Sequence, residues 1–527
     1  MKKFYVTTAI DYVNAAPHIG HAYEKIAADV VARYHRLNGA NVFFLTGVDE
    51  HGSKVEKSAE AAGMTPIAFC DQISSTFEKS WRNLNLSFDY FIRTTESRHA
   101  KVVQHLFAKL KEQGDIYKST YNGLYCEGCE DFVRERDLDE QGNCPTHKKA
   151  PKVLAEDNYF FKLTKYKPQI KEWLEKNPEV VRPDGRRKEV LNQLNDPELG
   201  DFSVSRSRKS LSWGIAIPGD DDQVIYVWMD ALTNYITGVG YLTDDEQFKT
   251  YWPADLHLIG KDITKFHSIY WIAFLMAAGI PLPKQIFAHG FITVEGQKLS
   301  KSLGNVIDPN KLVEHYGADA VRYYLLCANS FDQDGDFSLA DFVPRVNADL
   351  ANNIGNLLNR TLTLIERNCD GLIPKASPEH DLREKANSLH AVYDSCMAKL
   401  EFAKAIETFM AIADQTNKYV NDEAPWKQFK EGKVKEGSEV LYTSVEMLRR
   451  IAFMIYPFAP KFASDIWWQL GHDDALEVIG DNERPDGFFD LIPSGQKVRN
   501  TGPIFKKLEE PALVDVPMDG KKKPENI

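Results

Sequence analysis

The sequence predicts an α/β domain built on a parallel sheet, interrupted by an inserted module and followed by an all-α helical bundle. The first evidence is a strand, a helix and a second strand in succession, at residues 4–10, 20–39 and 41–52. Polar residues end both strands, and ligands bind beyond the carboxyl ends of strands in such sheets. From residue 351 onward, apolar residues instead recur at helical spacing, which predicts a helical bundle.

The stretch from 117 to 213 is charged, cysteine-bearing and poorly periodic, so we expect an inserted module there. Apolar runs return at residues 223–231, 255–262 and 285–294, and we expect all three to be strands that complete the sheet. The predicted organisation is a sheet domain in two halves (1–116 and 214–350), an insertion (117–213), a helical domain (351–510) and a tail (511–527).

Bulk composition limits the class of protein. The 527 residues are too many for one core, and their composition is that of an ordinary soluble globular protein. The amino terminus lacks the apolar segment of a signal peptide, and the longest apolar run, residues 269–280, is too short to cross a bilayer. A net charge of −12 argues against a protein that coats nucleic acid indiscriminately. We expect a cytoplasmic protein without a membrane partner.

Three of the seven cysteines cluster with a histidine in the insertion. Cys126 pairs with Cys129, and Cys144 pairs with His147, each across two intervening residues. This spacing is typical of a tetrahedral Zn²⁺ site, whereas a disulfide framework would not leave the other four cysteines scattered. No ligand position is left open, so we predict one structural zinc ion. Thiols without a metal in a loop are the alternative.

A short motif opens the first helix. His18 and His21 lie three residues apart, on one face of a helix that begins near Pro17. A helix amino terminus attracts phosphate, and imidazole N–H groups beside it could stabilise charge that grows on a phosphate during displacement. Gly20 leaves a flat surface on which a purine ring could lie. Taken alone, the motif fits two ordinary surface histidines equally well.

A second motif, at residues 295–309, carries Lys298 and Lys301 between Gly296 and Gly304. The glycines allow the loop to move, and two ammonium groups suit a triphosphate whose charge must be neutralised in the transition state. Without the first motif, a solvated basic loop would be the better interpretation.

Together the two motifs resemble the HIGH and KMSKS signatures of class I aminoacyl-tRNA synthetases. Here they read HIGH at 18–21 and KLSKS at 298–302, with leucine in place of methionine. Further stretches, from residues 6–30 to 417–426, are similar to methionyl-tRNA synthetases over nearly the whole chain. The resemblance implies a Rossmann-type catalytic domain, a connective insertion with a zinc knuckle and a helical anticodon-binding domain. It also implies that L-methionine and ATP, with Mg²⁺, form methionyl-adenylate, and that the methionyl group then passes to tRNA(Met).

The resemblance further implies which residues act. His18, His21, Lys298 and Lys301 would be catalytic; His18, Gly20, His21 and Lys301 would bind ATP. Glu24 and Arg206 match positions that act in adenylate formation, Asp49 would hold the substrate's α-amino group, and Asp262 would help order the site. The methionine pocket would be formed by Ala9, Ile10, Tyr12, Trp228, Tyr235, Phe266, His267 and Trp271.

Aromatic rings suit methionine because its polarizable thioether makes favourable sulfur–aromatic contacts, and tyrosine and histidine could add a weak hydrogen bond to the sulfur. Ordinary core packing is the alternative for these rings. Leu232 and Asp11 depart from the residues that the family leads us to expect, and both could reshape the pocket entrance.

In the helical domain, Asn356, Arg360 and Trp426 match anticodon-reading positions, and such side chains offer base-edge hydrogen bonds and stacking. Three other functions stay open: a small-molecule nucleotidyltransferase, another class I specificity, and a non-catalytic tRNA-binding protein derived from a synthetase. The insertion is short for the editing domain of the leucine, isoleucine and valine enzymes, which favours methionine. The chain ends soon after the helical domain, so we expect a monomer.

Overall fold

The structure is a computed structural model that describes residues 2–126, 131–133, 135–145, 148–298, 306–377, 380–477 and 494–509. Its strands, in chain order, are β1 (Lys3–Thr8), β2 (Asp11–Tyr12), β3 (Asn41–Asp49), β4 (Tyr90–Arg93), β5 (Ile116–Cys126), β6 (Asp131–Val133), β7 (Lys152–Phe161), β8 (Val181–Arg182), β9 (Phe202–Ser203), β10 (Ser205–Ser207), β11 (Ala216–Ile217), β12 (Asp220–Ile225), β13 (Leu256–Gly260), β14 (Ile286–His289), β15 (Ile292–Val294), β16 (Gln297–Lys298) and β17 (Gly335–Phe337).

Its α-helices are α1 (Ile19–Leu37), α2 (Ser53–Ala61), α3 (Pro66–Asn83), α4 (Ser97–Glu112), α5 (Leu163–Lys176), α6 (Asp184–Asn195), α7 (Val227–Thr237), α8 (Asp245–Tyr251), α9 (Trp271–Ala278), α10 (Pro309–Tyr316), α11 (Ala318–Cys327), α12 (Leu339–Val346), α13 (Asn356–Asn368), α14 (His380–Lys399), α15 (Phe402–Glu423), α16 (Pro425–Lys430), α17 (Val434–Ile455) and α18 (Pro460–Gln469). π-Helical turns precede two of them, at Phe266–Tyr270 and Asn347–Gly355.

The main sheet has seven strands, and its pairings are all parallel. Strands β3, β1, β13, β14 and β8 lie side by side, and β2 and β4 also pair with β3. The strand order reverses between β1 and β13, so their carboxyl ends border the crevice in which ligands bind in such sheets. The predicted strands at 4–10, 41–52 and 255–262 are confirmed as β1, β3 and β13.

The expectation for residues 223–231 was wrong. Strand β12 ends at Ile225 and pairs antiparallel with β10 and β11 in a separate sheet, and the chain then continues as α7. A short apolar run does not distinguish a strand from a buried helix, and this run contains the junction of both. Residues 285–294 also divide between sheets, because β14 joins the main sheet whereas β15 pairs with β16 and β17.

The predicted insertion forms a four-stranded antiparallel sheet in the order β6, β5, β7, β9. The pairing of β5 with β7 extends from Ile116 opposite Phe161 to Tyr125 opposite Lys152. Helices α5 and α6 follow, and β8 pairs with β14 in the main sheet. The range 117–213 therefore also supplies one strand of the main sheet.

One buried arginine joins the sheet domain to the helical domain. Arg322 in α11 is fully buried, and its Nη2 lies 2.6 Å from Oδ2 of Asp29 in α1. The same guanidinium donates to the carbonyl oxygens of Pro457 and Phe458 between α17 and α18, at 2.7 and 3.1 Å. Asp29 also accepts from Arg33 Nε at 2.7 Å. A helix that begins at the HIGH motif is thus fixed to the helical bundle.

Candidate active site

The two signature histidines cap the first turn of α1. The Nδ1 atom of His18 accepts from the Gly20 backbone N–H, and Nδ1 of His21 accepts from the His18 backbone N–H, both at 3.2 Å. The two rings stack with their centroids 3.7 Å apart. Because each Nδ1 is an acceptor, each neutral ring carries its proton on Nε2 and can donate it to a ligand.

Both imidazoles are uncharged at neutral pH. Burial lowers the pKa of His18 to about 3, helped by the neighbouring His21, and burial with the nearby Lys25 lowers the pKa of His21 to about 3. The pair therefore offers a ligand N–H donors beside the helix terminus, but no net positive charge.

A buried charge network lies behind the histidines. Lys25 Nζ contacts the Ala9 carbonyl oxygen at 3.1 Å, Asp11 Oδ1 at 2.7 Å and Glu24 Oε1 at 3.0 Å. The other Glu24 oxygen lies 3.0 Å from His289 Nε2. Burial alone would raise the pKa of Glu24, but Lys25 and His289 hold it at about 2. Both Glu24 oxygens are therefore engaged within the protein.

The sequence did not single out Lys25 or His289. Lys25 carried a usable signal, because it lies four residues after His21 and so shares its helix face. His289 carried no such signal in the sequence, because it lies at the end of β14 and approaches α1 only in the folded chain. Asp11, noted as a departure, is the carboxylate partner of Lys25, and burial raises its pKa to about 6.

The second signature meets the first through the backbone. The Ile19 N–H donates to the Ile307 carbonyl oxygen at 3.0 Å, just beyond the KLSKS segment. Lys298 closes β16, which pairs with β15 through Thr293. Residues 299–305, and with them Lys301, lie outside the described residues.

Aromatic side chains from α7, the Phe266–Tyr270 turn and α9 meet as the sequence predicts. The rings of Trp228 and Phe266 stack 3.7 Å apart, and the Tyr235 and Trp271 rings lie 6.0 Å apart. The indole nitrogens of Trp228 and Trp271 are buried, and neither finds a hydrogen-bond partner among the described residues. A bound ligand could supply the missing acceptors for these two donors, and Trp271 itself is fully buried in the surrounding apolar core.

In this arrangement neither Tyr235 nor His267 has a polar hydrogen left for the predicted hydrogen bond to a thioether. His267 Nδ1 lies 3.0 Å from the Ile263 carbonyl oxygen and must carry the proton there. Its Nε2 therefore accepts from the Tyr235 hydroxyl, 2.7 Å away. Burial lowers the pKa of His267 to about 4, so the ring is neutral. The polar hydrogens of both side chains are therefore already bound within the protein.

The remaining predicted residues surround this crevice at the sheet's carboxyl edge. Ala9 donates to the Leu258 carbonyl and joins β1 to β13, while Tyr12 pairs with Asp49 where β2 meets β3. Asp49 is buried, whereas Asp262 is exposed in the turn after β13. Ile10 is partly buried against the same apolar core as Trp228.

Arg206 occupies a different position from the signature residues, on β10. Its guanidinium lies over the rings of Tyr125 and Tyr226, at 4.7 and 4.5 Å, and donates to the Ser203 hydroxyl at 3.0 Å. The side chain is 3% exposed, so the cation is largely desolvated and would attract an anionic ligand strongly.

Two of the four predicted zinc ligands are described. Cys126 ends β5, and both Cys126 and Cys144 are nearly fully buried. The Lys148 N–H donates to the Cys144 carbonyl at 2.8 Å, and the Cys144 N–H donates to the Lys149 carbonyl at 2.9 Å. Buried sulfur atoms in a charged segment fit a thiolate metal site. Cys129 and His147 lie outside the described residues, within which no group of three or more metal-binding side chains occurs.

The predicted anticodon residues lie in the helical domain. Asn356 begins α13 and is exposed, and Trp426 in α16 is 40% exposed. Arg360 donates to the side-chain oxygens of Asn421 and Asn417 in α15, at 2.6 and 3.1 Å. Both partners are neutral amides, so neither of them neutralises the positive charge of the guanidinium.

Comparison with known proteins decides the family. Residues 4–152 and 140–362 match the model of tRNA synthetases class I (M), and residues 374–516 match the anticodon binding domain of methionyl tRNA ligase. The chain belongs to the methionyl-tRNA synthetase family. Methionine–tRNA ligase of Thermosynechococcus vestitus is 44% identical, over 97% of this chain and 98% of that protein. The Thermotoga maritima enzyme is also 44% identical, over 96% and 80%.

Solved structures of the family agree with the fold. Mycobacterium tuberculosis methionyl-tRNA synthetase in complex with methionyl-adenylate superposes with a TM-score of 0.90 at 39% identity, covering 96% of this chain and all of that one. The predicted class of enzyme and its two-part α/β and helical fold are thereby confirmed. No helix in the described part of the chain is long and apolar enough to cross a membrane.

Proposed function

We propose that this member of the family activates L-methionine with ATP and transfers the methionyl group to tRNA(Met), using the residues described above. The observation that carries the proposal is the position of Lys25. Its Nζ binds Ala9, at the predicted methionine pocket, and Lys25 lies one turn beyond His21 on α1. The phosphate-binding helix terminus and the amino-acid pocket are therefore parts of one site.

In the first step a carboxylate oxygen of methionine attacks the α-phosphorus of ATP, and pyrophosphate leaves. The Nε2–H groups of His18 and His21 stabilise the charge that develops on the phosphate oxygens, with Lys298 and Lys301. Bound with ATP, Mg²⁺ would neutralise further phosphate charge. In the second step a hydroxyl of the terminal tRNA ribose attacks the methionyl carbonyl carbon, and AMP leaves.

Substrate selection is assigned to separate groups. Asp49 holds the α-ammonium, and the rings of Trp228, Tyr235, Phe266 and Trp271 enclose the thioether. Arg206 and Asp262 act on the adenylate, and Glu24 acts through Lys25 and His289 because both its oxygens bind within the protein. Asn356, Arg360 and Trp426 read the anticodon.

One structural zinc ion, held by Cys126, Cys129, Cys144 and His147, is part of the proposal. A zinc ion there would join the end of β5 to Cys144, and the sequence between them is rich in charged residues and poor in apolar ones. A cytoplasmic, monomeric enzyme is proposed as well, and the unlinked thiols of Cys70, Cys327, Cys369 and Cys396 fit a reducing compartment. Light scattering at micromolar concentration measures the oligomeric state.

Amino-acid-dependent ATP–pyrophosphate exchange, with each of the twenty amino acids in turn, tests the function. Exchange with methionine alone supports the reaction and the pocket. Exchange with another amino acid would overturn the pocket, and no exchange in a folded sample would favour a non-catalytic tRNA-binding protein. Lys301→Ala should lower adenylate formation steeply and leave methionine binding nearly unchanged; equal loss of both contradicts its role.

A further inference from the structure

The carboxylate of Asp230 in α7 binds two histidines at once. Its Oδ2 lies 2.7 Å from His51 Nδ1, and its Oδ1 lies 2.8 Å from His99 Nε2. Asp230 is 1% exposed, and burial alone would raise the pKa of its carboxyl group. His51 and His99 nevertheless hold the pKa below its ordinary value, so the group is an anion that accepts both N–H bonds.

The two histidines come from different parts of the fold. His51 lies two residues after Asp49, in the loop that leaves β3, whereas His99 lies on α4. Asp230 itself lies on the helix that carries Trp228 and Tyr235. The bond between His51 and Asp230 therefore connects the proposed amine-binding loop directly to the helix of the aromatic pocket.

The same loop is held firmly on its other sides. Glu50 Oε1 accepts from Arg93 Nε at 2.8 Å, and the Glu50 carbonyl accepts from the Trp213 indole N–H at 2.5 Å. These contacts fix the loop to β4 and to the end of the insertion. His51 links the loop to α7 through its bond to Asp230.

We propose that Asp230 and His51 are positioning residues that set the distance between Asp49 and the aromatic pocket. A substrate must then satisfy the amine site and the pocket together, so the enzyme reads the length of the amino acid as well as the shape of its side chain. This inference rests on the proposed roles of Asp49 and of the pocket. It adds two residues that contact no substrate atom and act through Asp49.

The test is ATP–pyrophosphate exchange with methionine and with ethionine, which is one methylene longer. We expect His51→Gln and Asp230→Asn to raise the KM for methionine about tenfold, with little change in kcat or in the KM for ATP. The preference for methionine over ethionine should fall at least threefold. His99→Gln is the matched control, because it removes the other imidazole from the same carboxylate; it should leave the methionine KM within twofold even if it lowers the melting temperature.

The variant Asp49→Asn distinguishes a wrong assignment of the amine site from a wrong assignment of the positioning role. If it leaves the methionine KM unchanged, the amine site is wrongly assigned and the inference falls with it. If it raises the KM but His51→Gln does not, or if His99→Gln acts as strongly as His51→Gln, the positioning role is overturned while the proposed function stands. In an Asp49→Asn background, His51→Gln should add little, because the two changes remove the same interaction.

Discussion

The hydroxyl of Tyr235 donates to Nε2 of His267 at 2.7 Å, and His267 donates in turn from Nδ1 to the Ile263 carbonyl oxygen. This chain of two hydrogen bonds crosses the aromatic pocket and ends on the backbone of the turn after β13. It holds the Tyr235 ring in place while using every polar hydrogen that the two side chains offer. The Tyr235 and His267 side chains therefore present rings, and no polar hydrogen, to the rest of the aromatic cluster.

Tyr235→Phe should weaken methionine binding without preventing folding. The change leaves His267 Nε2 buried without a donor, which costs about 1–3 kcal/mol and loosens the ring. In ATP–pyrophosphate exchange we expect the KM for methionine to rise about tenfold while the KM for ATP stays constant. An equal rise in both KM values would show that the change acts on the whole site and not on the pocket.

Removing one predicted zinc ligand should release the metal. Cys144→Ser replaces a buried sulfur by a poorer ligand, so zinc content measured by atomic emission should fall from one ion per chain to nearly none. The melting temperature should fall as well, because metal binding contributes to folding. Cys369→Ser in the helical domain is the control; loss of zinc from that variant, or full zinc in Cys144→Ser, contradicts the site.

Acid should destabilise the protein from about pH 6.5 downward. The pKa values of His18 and His21 are about 3 and that of His267 about 4, against an ordinary value of 6.5. Between these limits the unfolded chain binds protons that the folded chain does not, so the free energy of unfolding decreases as the pH falls. Burial raises the pKa values of Asp11, Asp89 and Asp319, and these groups have the opposite sign. The histidines outnumber them, because the pKa of His35 is also lowered, to about 4, and that of His472 to about 3.

Urea unfolding midpoints between pH 7 and pH 4 measure this effect. Each of these histidines contributes a slope of at most about 1.4 kcal/mol per pH unit. A midpoint that stays constant or rises over this interval would mean that these rings are protonated in the folded protein.

Asp29→Asn should destabilise both domains together. The change leaves Arg33 and Arg322 buried without their carboxylate, and breaking a buried pair in this way costs about 3–5 kcal/mol. Differential scanning calorimetry should show one transition at a lower temperature. Asp465→Asn is the control, since its partner Lys461 is exposed and such surface pairs contribute about 0–1 kcal/mol.

Trp426→Ala should affect tRNA charging and spare amino-acid activation. Loss of the stacking face costs about 1–3 kcal/mol per base, so we expect the KM for tRNA(Met) to rise at least about fivefold. ATP–pyrophosphate exchange, which needs no tRNA, should not change. Trp468→Ala removes another exposed indole of the helical domain and should leave the tRNA KM unchanged.

The structural features that could be predicted from the sequence are those that depend on the spacing of neighbouring residues. The helix start at His18, the first strands and the run of helices after residue 351 follow from patterns that a few neighbouring residues carry. Residues 223–231 show the limit, because an apolar run that spans a strand and a helix start has no single period. The charge states of the site residues could not be predicted from the sequence. Whether His18 and His21 are protonated depends on their burial, which only the folded chain creates.

The buried contacts made by Asp230, Lys25 and Arg322 were also not predicted from the sequence. Those of Asp230 and Arg322 join elements far apart in the chain, and nothing in the neighbouring residues indicates the partner, whereas Lys25 contacts Ala9 and Asp11, 16 and 14 positions away. Asp230 meets His51 across 179 positions, and His289 meets Glu24 across 265. Helical spacing does place Lys25 on the face of His21, so part of that network was open to inference.

The contacts of Arg322 limit which helical domains could replace the one in this chain. Its guanidinium donates to the carbonyl oxygens of Pro457 and Phe458 and pairs with the carboxylate of Asp29. The contact between the two domains therefore depends on the backbone conformation between α17 and α18. A helical domain grafted from another synthetase would have to present two carbonyls at the same place. An exchange that does not reproduce them would leave the buried Arg322 guanidinium paired with Asp29 but without two of its hydrogen-bond acceptors, and the free energy of unfolding would fall.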